Sequence, residues 1–301
     1  MKTGTRLPRA LLAAAMVVTL GIGMLAAGST ALAAGPVTVG LGTAAPFAVL
    51  AGTPAVTNTG ASTISGDVGI APALAVTGFP PGTISGATHK GDAEAIQAKS
   101  DLATAYTDAA GRSATATHAT LGGLTLVGGV YNAGGATLGL TGTLTLDGQN
   151  DPSAVWIFQA TSDLVTASSS TVRVINGGSA CNVFWQVTSS ATLGSGSTFV
   201  GTIMALSSIT MANGVTVDGR ALARNGDVTL INDTITRPAC ASTAPTAVPG
   251  SGATVPPTNT AATTGEPQSG ALPIALIVGI FTFALVVLLV GRRTVQVNRS
   301  R

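Results

Sequence analysis

Short segments in which apolar and small polar residues alternate recur along the chain. Four of them, "TLGLTGTLTL" from Thr137, "VTASSSTVRV" from Val165, "TLGSGSTFVG" from Thr192 and "TMANGVTVDG" from Thr210, can be laid over one another. A fifth, "TLINDTITRP" from Thr229, fits with one slip, and the starts are 28, 27, 18 and 19 residues apart. A loose repeat near 20 residues, built from short strands and Gly/Ser/Asn turns, is typical of a β-solenoid with coils about 4.8 Å apart.

The overlay produces two columns rich in threonine. The first contains Thr137, Val165, Thr192, Thr210 and Thr229, and the second, six positions further on, contains Thr143, Thr171, Thr198 and Thr216. Side chains alternate between the two faces of a strand, so apolar neighbours such as Ile209 and Met211 point inward and Thr210 points outward. The second column lies beyond a turn, so the sequence does not determine which side of the solenoid its side chains face. Threonine is also a good strand former, so a purely structural ladder is the alternative.

Other segments are apolar almost without interruption, namely "AVWIFQ", "NVFWQV", "TIMAL" and "RALAR". Such runs are typical of strands covered on both faces. The segment "GDAEAIQAKSDLATAYTDAAGR" predicts a helix over about 91–111, which could cover the outer face of these strands. Its apolar residues recur at spacings of three and four and form one stripe: Ala95, Ala98, Leu102, Tyr106 and Ala109. We therefore expect the helix to shield one side of the solenoid and the threonines to face solvent.

Both ends of the chain differ in composition from the middle. Residues 1–34 carry a basic start, an apolar centre and a small-residue ending, which predicts a secretory signal cleaved after Ala33 or Ala34; an uncleaved membrane helix is the alternative. The folded domain is predicted over 35–240. A Pro/Thr/Ala-rich linker follows over 241–270, then an apolar membrane-spanning helix over 271–291 and a basic cytoplasmic tail over 292–301. This order predicts export, with a single membrane pass and an extracellular solenoid.

Charge and the titratable residues exclude several classes of function. Residues 35–240 hold seven Lys/Arg against eleven Asp/Glu, a net charge of −4, which argues against nucleic-acid binding. The best candidate for catalysis is the group Asp218, Arg220, Arg224 and Asp227, for which ion pairing at the edge of a coil is the simpler interpretation. The two histidines, His89 and His118, lack partners at ligand spacing, so no metal site is predicted. We expect no enzymatic activity, no catalytic residue and no cofactor.

Cys181 and Cys240 are the two cysteines of the chain. In an exported protein they can pair, and a bridge would pin the segment after the last strand to the body of the domain. Two buried free thiols are the alternative.

Several blocks of the chain resemble the microbial ice-binding proteins of the DUF3494 type. The matching blocks include "LGTAAPFAVLAG" (41–52), "NTGASTISGDVGI" (58–70), "LTGTLTLDGQNDPSAVWIFQ" (140–159), "CNVFWQVTSSATLGSGSTFVGTIMAL" (181–206) and "VDGRALARNGDVTL" (217–230). The resemblance implies a mostly β, right-handed, three-faced solenoid with one long helix alongside. It also implies that the solenoid is discontinuous, with the N-terminal strands beside the last coil, and that an ice-binding surface lies away from the helix.

The resulting hypothesis is a membrane-tethered monomer that binds ice and ordered water. Its candidate contacts are the ladder threonines Thr137, Thr192, Thr210, Thr229, Thr143, Thr171, Thr198 and Thr216 on a flat Thr/Ser-rich face. A cell-surface adhesin that binds glycans or cells through the same fold is the first alternative. A carbohydrate-active enzyme and a structural wall protein remain open as well.

Overall fold

The computed structural model describes residues 35–240, which form a stack of short parallel strands with one helix. The strands before the helix are β1 Phe47–Ala51, β2 Ala55–Thr59, β3 Thr63–Ser65, β4 Asp67–Ile70, β5 Ala75–Thr77, β6 Thr83–Ile84 and β7 Thr88–Lys90. The helix α1 spans Ala93–Gly111. It is followed by β8 Ala116–Thr117, β9 Thr125–Leu126, β10 Gly129–Asn132, β11 Leu138–Leu140, β12 Thr143–Asp147, β13 Trp156–Ala160, β14 Leu164–Thr166 and β15 Thr171–Ile175. The last strands are β16 Val183–Val187, β17 Ala191–Leu193, β18 Thr198–Ala205, β19 Ile209–Met211, β20 Thr216–Ala223, β21 Val228–Ile231 and β22 Thr234–Thr236. Short 3-10 helices occupy Gly42–Ala44 and Ala180–Asn182.

The strands stack on three sides of a solenoid. The helix side has the order β8-β10-β13-β16-β18-β20-β1-β4-β7. The seven-strand side is a separate sheet in the order β11-β14-β17-β19-β21-β2-β5. The eight-strand side has the order β9-β12-β15-β18-β20-β22-β3-β6. Strands β18 and β20 run through both the eight-strand side and the helix side, so these two sides form one continuous sheet.

The solenoid is discontinuous in sequence, as the resemblance implies. Strand β1 pairs with β20, β2 pairs with β21, and β3 pairs with β22, all in parallel. The first strands of the domain therefore extend the stack beyond its last coil. The helix then returns the chain to the opposite end, where β8 and β9 begin the remaining coils. Its 19 residues are about 28 Å long. The right-handed sense of winding stays a prediction.

The interior of the solenoid is a continuous apolar core. Four inward aromatic rings on successive coils lie one above another, with centroid separations of 5.5 Å for Tyr131–Phe158, 4.1 Å for Phe158–Trp185 and 4.7 Å for Trp185–Phe199. Rings at these separations are in favourable contact, and each also removes a large apolar surface from water. The inward aromatic of one coil therefore forms the packing surface for the next.

The predicted helix is confirmed, and its apolar stripe is buried at all five positions. The stripe packs on outward apolar residues of the helix side, among them Leu50, Phe184 and Leu222. The Asp92 side chain caps the first turn by accepting from the backbone N–H of Ala95 at 2.9 Å. At the other end the Gln159 amide donates to the carbonyl of Ala109 at 2.9 Å. Both ends of α1 are thus held by side-chain hydrogen bonds.

The predicted signal, linker, membrane span and tail lie outside the described residues. Within 35–240, no helix is both long and apolar enough to cross a membrane.

Candidate functional site

The seven-strand side carries an outward column of five threonines on adjacent strands. Thr192 is in register with Thr210, Thr210 with Thr229, Thr229 with Thr57, and Thr57 with Thr77. On β17, β19 and β21 the residues before and after the threonine are buried, in agreement with the predicted alternation. We call this column the short ladder. Val165, whose exposed fraction is 42%, continues the column next to Thr192.

Thr57 and Thr77 were missed by the sequence overlay. Each follows a valine, in "AVTNT" and "AVT", so the local signal resembles that of the other ladder strands. Their segments lie before the helix, however, and their place in the stack follows from the pairing of β2 with β21 rather than from the repeat.

Thr137 does not belong to the column, contrary to the overlay. The strand pairing places Gly139, not Thr137, opposite Val165. Four positions separate Gly139 from Thr143, whereas six separate Val165 from Thr171, so the turn in this coil is two residues shorter. The shorter turn uses Gly142, whose φ of 81° is accessible to glycine. Thr137 is exposed and immediately precedes β11.

The second threonine column lies on the eight-strand side and is longer than the overlay indicates. Its seven members are in register on adjacent strands in the order Thr143, Thr171, Thr198, Thr216, Thr234, Thr63 and Thr83. We call this column the long ladder. In the fifth segment the two ladder threonines, Thr229 and Thr234, are five positions apart instead of six. This difference is the one-residue slip of the sequence overlay. The two ladders therefore occupy two different sides, and the expected single Thr/Ser face is divided between them.

Charged side chains are distributed differently beside the two ladders. On the eight-strand side, the outward positions two residues beyond Thr171 and Thr216 are the exposed Arg173 and Asp218. Although the Asp218 side chain reaches solvent, partial desolvation of its carboxyl raises the pKa, and the positive charge of Arg220 opposes this shift. A long, exposed arginine thus projects from the same sheet surface as the long ladder.

On the seven-strand side, the acids are at the margin and are engaged in hydrogen bonds. Asp227 accepts from the hydroxyls of Ser208 and Thr229, the latter at 3.1 Å. Asp163 accepts from the backbone N–H of Ser190 at 3.1 Å, a bond that lowers the pKa of this carboxyl. The short ladder itself contains no charged residue. This side therefore presents methyl and hydroxyl groups, with its carboxylates held at the edge.

The group considered for catalysis is not an assembled site, and the expected ion pairs are not formed. Arg220 is buried and donates to the carbonyl of Ala45 at 3.0 Å and to Thr202 Oγ1 at 3.3 Å. Arg224 instead lies over the ring of Tyr106. Within residues 35–240 the ion pairs are His89–Asp92 and Arg112–Asp108, so neither arginine has an acidic partner. Arg220 thus lies on the covered outer face of β20, where hydrogen bonds rather than an ion pair hold its side chain.

His89 does have carboxylate neighbours, contrary to the interpretation from spacing. Its ring and the carboxylates of Asp92 and Glu94 bring three possible ligand atoms within 4.8 Å of one another. Asp92 is already engaged on both oxygens, with the N–H of Ala95 and with His89 Nδ1. The arrangement is explained by capping of α1, because Asp92 is the N-cap residue and accepts from the backbone N–H of Ala95. The same hydrogen bond lowers the pKa of Asp92. His118 lies elsewhere, against Tyr131.

Cys181 and Cys240 form a disulfide, with a Cα–Cα distance of 5.5 Å. The bond ties the segment after β22 to the 3-10 helix before β16. Arg220 lies beneath it, with its guanidinium 3.9 Å from the sulfur of Cys240. Among residues 35–240 no free cysteine is present.

Two proteins called ice-binding proteins are similar to this chain in sequence. A protein called ice-binding protein from Nostoc sp. (strain HG1) is 47% identical over 169 residues, which cover 56% of this chain and 62% of that protein. Ice-binding protein K3-B1 of Typhula ishikariensis is 32% identical over 200 residues, covering 59% of this chain and 81% of the relative. This chain thus spans less than two thirds of the Nostoc relative.

Solved structures share the fold. The crystal structure of an ice-binding protein from an Antarctic biological consortium matches with a TM-score of 0.65 and 45% identity, over 67% of this chain and 91% of that one. An ice-binding protein from the Antarctic ascomycete Antarctomyces psychrotrophicus matches with a TM-score of 0.65 and 43% identity, over 67% of this chain and all of that one. The second structure consists of the matched domain alone, which indicates that such a domain folds independently.

A family model described as ice-binding-like matches residues 49–236. This range includes both ladders, α1 and all but the first two residues of β1. On the strength of this match, together with the fold shared with the solved structures, the chain belongs to the ice-binding-like family.

Proposed function

We propose that this chain binds ice through the seven-strand side, with the short ladder at the centre of the contact. The observation that carries the proposal is the register of Thr192, Thr210, Thr229, Thr57 and Thr77 on five adjacent strands without a charged residue among them. Parallel strands repeat at about 4.8 Å, so the methyl and hydroxyl groups form a regular row on a rigid support. Such a row can order a layer of water that merges with an ice lattice, and adsorption then blocks growth.

The neighbouring charges favour this side over the eight-strand side. Ionised groups hold water strongly, in an arrangement set by the charge rather than by a lattice. Arg173 and Asp218 carry such groups beside the long ladder, and the arginine side chain extends well beyond a threonine. Asp163 and Asp227 lie beside the short ladder but already accept hydrogen bonds from serine and threonine groups. The long ladder remains the second candidate surface because it is the longer of the two.

Ice is favoured over a glycan by the placement of the aromatic residues. Glycan sites commonly use exposed aromatic rings, whereas Trp156, Trp185, Phe158 and Phe184 are fully buried. Among the described residues, the large exposed hydrophobics are Val37, Leu74, Ile96, Val127 and Val165, none of which is aromatic. The relatives named above are called ice-binding proteins, which also argues against a catalytic role. We therefore propose a non-enzymatic function without a cofactor.

The ends of the chain suggest where the domain acts. We propose that residues 1–34 direct export and that residues 271–291 anchor the protein in the membrane with the basic tail in the cytoplasm. A monomer anchored in this way would hold a cell to ice or shape ice at the cell surface. Fractionation of cells that express the full chain, with and without residues 271–301, tests the anchor: only the full chain should remain with the membranes.

Ice recrystallisation inhibition by the Gly35–Cys240 fragment tests the main proposal. The double variant Thr192→Tyr, Thr210→Tyr places two bulky rings on the short ladder. The matched control, Thr198→Tyr, Thr216→Tyr, places the same rings on the same two coils of the long ladder. The first variant should lose inhibition and the control should retain it, while circular dichroism shows both folded. The opposite result would assign the contact to the eight-strand side, and an inactive but folded parent fragment would end the ice hypothesis.

A further inference from the structure

A groove that has no part in the ladders lies beside the N-terminal half of α1. Its walls come from the helix, from the loop between β4 and β5, and from the turn after β20, and its volume is about 480 Å³. Leu74 and Ile96 line it, with exposed fractions of 62% and 57%. These are two of the large hydrophobic side chains that the described residues leave open to solvent. The groove therefore offers apolar surface that is not covered by the domain itself.

Two cations also line this groove. Lys99, on the second turn of α1, donates from Nζ to the backbone carbonyls of Ala223 and Arg224. Burial and, to a smaller extent, the positive charge of Arg224 together lower the pKa of Lys99 to about 8. Below that pH two positive charges face the same space. Lys99 carries three N–H groups, of which the two carbonyls use two.

Arg224 is held in place by an aromatic ring rather than by an acid. Its guanidinium carbon lies 4.8 Å from the centroid of the buried Tyr106 ring. The stacking fixes the plane of the guanidinium while leaving its N–H edge available for a ligand. The ion pairs of residues 35–240 include neither Arg224 nor Lys99. The groove thus has two cations without a counter-ion beside an open apolar wall.

We propose that this groove binds a carboxylate carried on a short apolar chain. A guanidinium matches a carboxylate with two parallel N–H···O bonds, and the third N–H of Lys99 can donate to the same anion. The apolar chain would lie along Leu74 and Ile96 and remove both from water. Because the groove carries two positive charges, it should bind this anionic ligand more tightly than a neutral amphiphile. The site is independent of ice adsorption, because none of its residues belongs to either ladder.

Octanoate, octanol and acetate test the proposal on the Gly35–Cys240 fragment. Octanoate has both the anion and the chain, octanol has the chain alone, and acetate has the anion alone. Titrations below the micellar concentration, monitored by calorimetry, should show saturable binding of octanoate. The backbone amide NMR signals of Ile96, Lys99 and Asn225 should shift during the same titration. Octanol and acetate should bind at least about tenfold more weakly, since each lacks one of the two contributions. The pKa of Lys99 should rise when octanoate is bound.

Two substitutions separate recognition of charge from general apolar binding. Lys99→Met and Arg224→Gln each remove one cation and should weaken octanoate binding at least about tenfold. Arg173→Gln, a change of an exposed arginine on the eight-strand side, should have no effect. All three variants should keep the circular dichroism spectrum of the parent. If Arg224→Gln disturbs the packing of the Tyr106 ring, Lys99→Met alone still tests the proposal. Absence of saturable octanoate binding, equal binding of octanol or acetate, or unchanged binding by folded Lys99→Met would overturn the proposal.

Discussion

Thr210 and Thr216 lie in the same coil, six residues apart, and face different sides of the solenoid. Thr210 is in register with Thr192 on the seven-strand side, and Thr216 is in register with Thr198 on the eight-strand side. A single coil therefore contributes to two threonine ladders. A flat crystal surface can meet only one of these sides at a time, so the residues that flank each ladder decide which side adsorbs.

The first prediction concerns the interruption of the column at Val165. Replacing Val165 by Thr extends the short ladder by one coil at an exposed position, and the two side chains have nearly the same shape. The stability should change by less than about 0.5 kcal/mol, as is usual for an exposed position. Inhibition of recrystallisation should begin at a lower protein concentration.

Val200→Thr is the matched control for this change. Val200 lies on the eight-strand side, in register with Asp218, and the substitution makes the same chemical change outside the short ladder. It should leave inhibition as it is. Equal effects of the two substitutions would mean that the seven-strand side has no special part in adsorption.

The second prediction concerns Gly219, where β20 passes from the eight-strand side to the helix side. A Cβ at Gly219 would lie 1.9 Å from the carbonyl oxygen of Gly201 in the neighbouring strand. Gly219→Ala should therefore force two strands apart and lower the free energy of unfolding by about 3 kcal/mol, the upper end of the usual cost of overpacking a buried site. Denaturant unfolding of the fragment measures the loss.

Gly214→Ala provides the comparison within the same coil. Gly214 has a φ of 78°, and nothing lies within 4 Å of an added Cβ. Only the backbone conformation is then penalised, at about 1–2 kcal/mol. If Gly214→Ala proved as harmful as Gly219→Ala, conformational preference rather than strand contact would control this corner.

The third prediction concerns the disulfide between Cys181 and Cys240, which closes a loop with a sequence separation of 59. Replacing both cysteines by serine should lower the free energy of unfolding by about 2–4 kcal/mol, because the unfolded chain regains freedom. Ice inhibition by the folded variant should persist at low temperature, since the ladders are held by strand pairing. Loss of inhibition with an intact circular dichroism spectrum would show instead that the bridge shapes the ice-binding surface.

The fourth prediction concerns Asp233, a buried carboxyl at the corner between the two ladder sides. It accepts from the backbone N–H groups of Val215 at 2.8 Å and Ile231 at 2.7 Å. Burial nevertheless raises its pKa to about 6 from a reference of 3.8, so the folded state binds this proton more tightly than the unfolded state. The contribution of Asp233 to stability should be greatest below about pH 4 and should fall as the pH rises to about 6.

Unfolding of the parent fragment and of Asp233→Asn between pH 3 and pH 8 measures this contribution. The asparagine does not titrate, so the fall between about pH 4 and pH 6 should be absent from its profile. It also replaces one acceptor oxygen by a donor, so below about pH 4 the variant should be less stable than the parent by about 1–3 kcal/mol. This difference should shrink between about pH 4 and pH 6, where only the parent loses stability. Parallel pH profiles for the two proteins would assign the titration to another group.

Alternation and periodicity in the sequence determined the local part of this structure. Ile209 and Met211 point inward and Thr210 outward because a strand must bury its apolar residues and successive side chains alternate. The stripe from Ala95 to Ala109 required one buried face of a helix for the same reason. These features depend on neighbours a few positions away, which is why the chain alone was sufficient to predict them.

Only the tertiary structure decided which strands became neighbours and which side each ladder faces. Thr57 joins Thr229 across 172 positions of sequence, because β2 stacks on β21, and no local pattern encodes that choice. The short turn at Gly142 moved Gly139 into the place expected for Thr137, since register follows turn length as well as alternation. Packing around Tyr106 likewise left Arg224 without an acid. Pairing, register and burial are set by distant parts of the chain, and the division of the threonines between two sides followed from them.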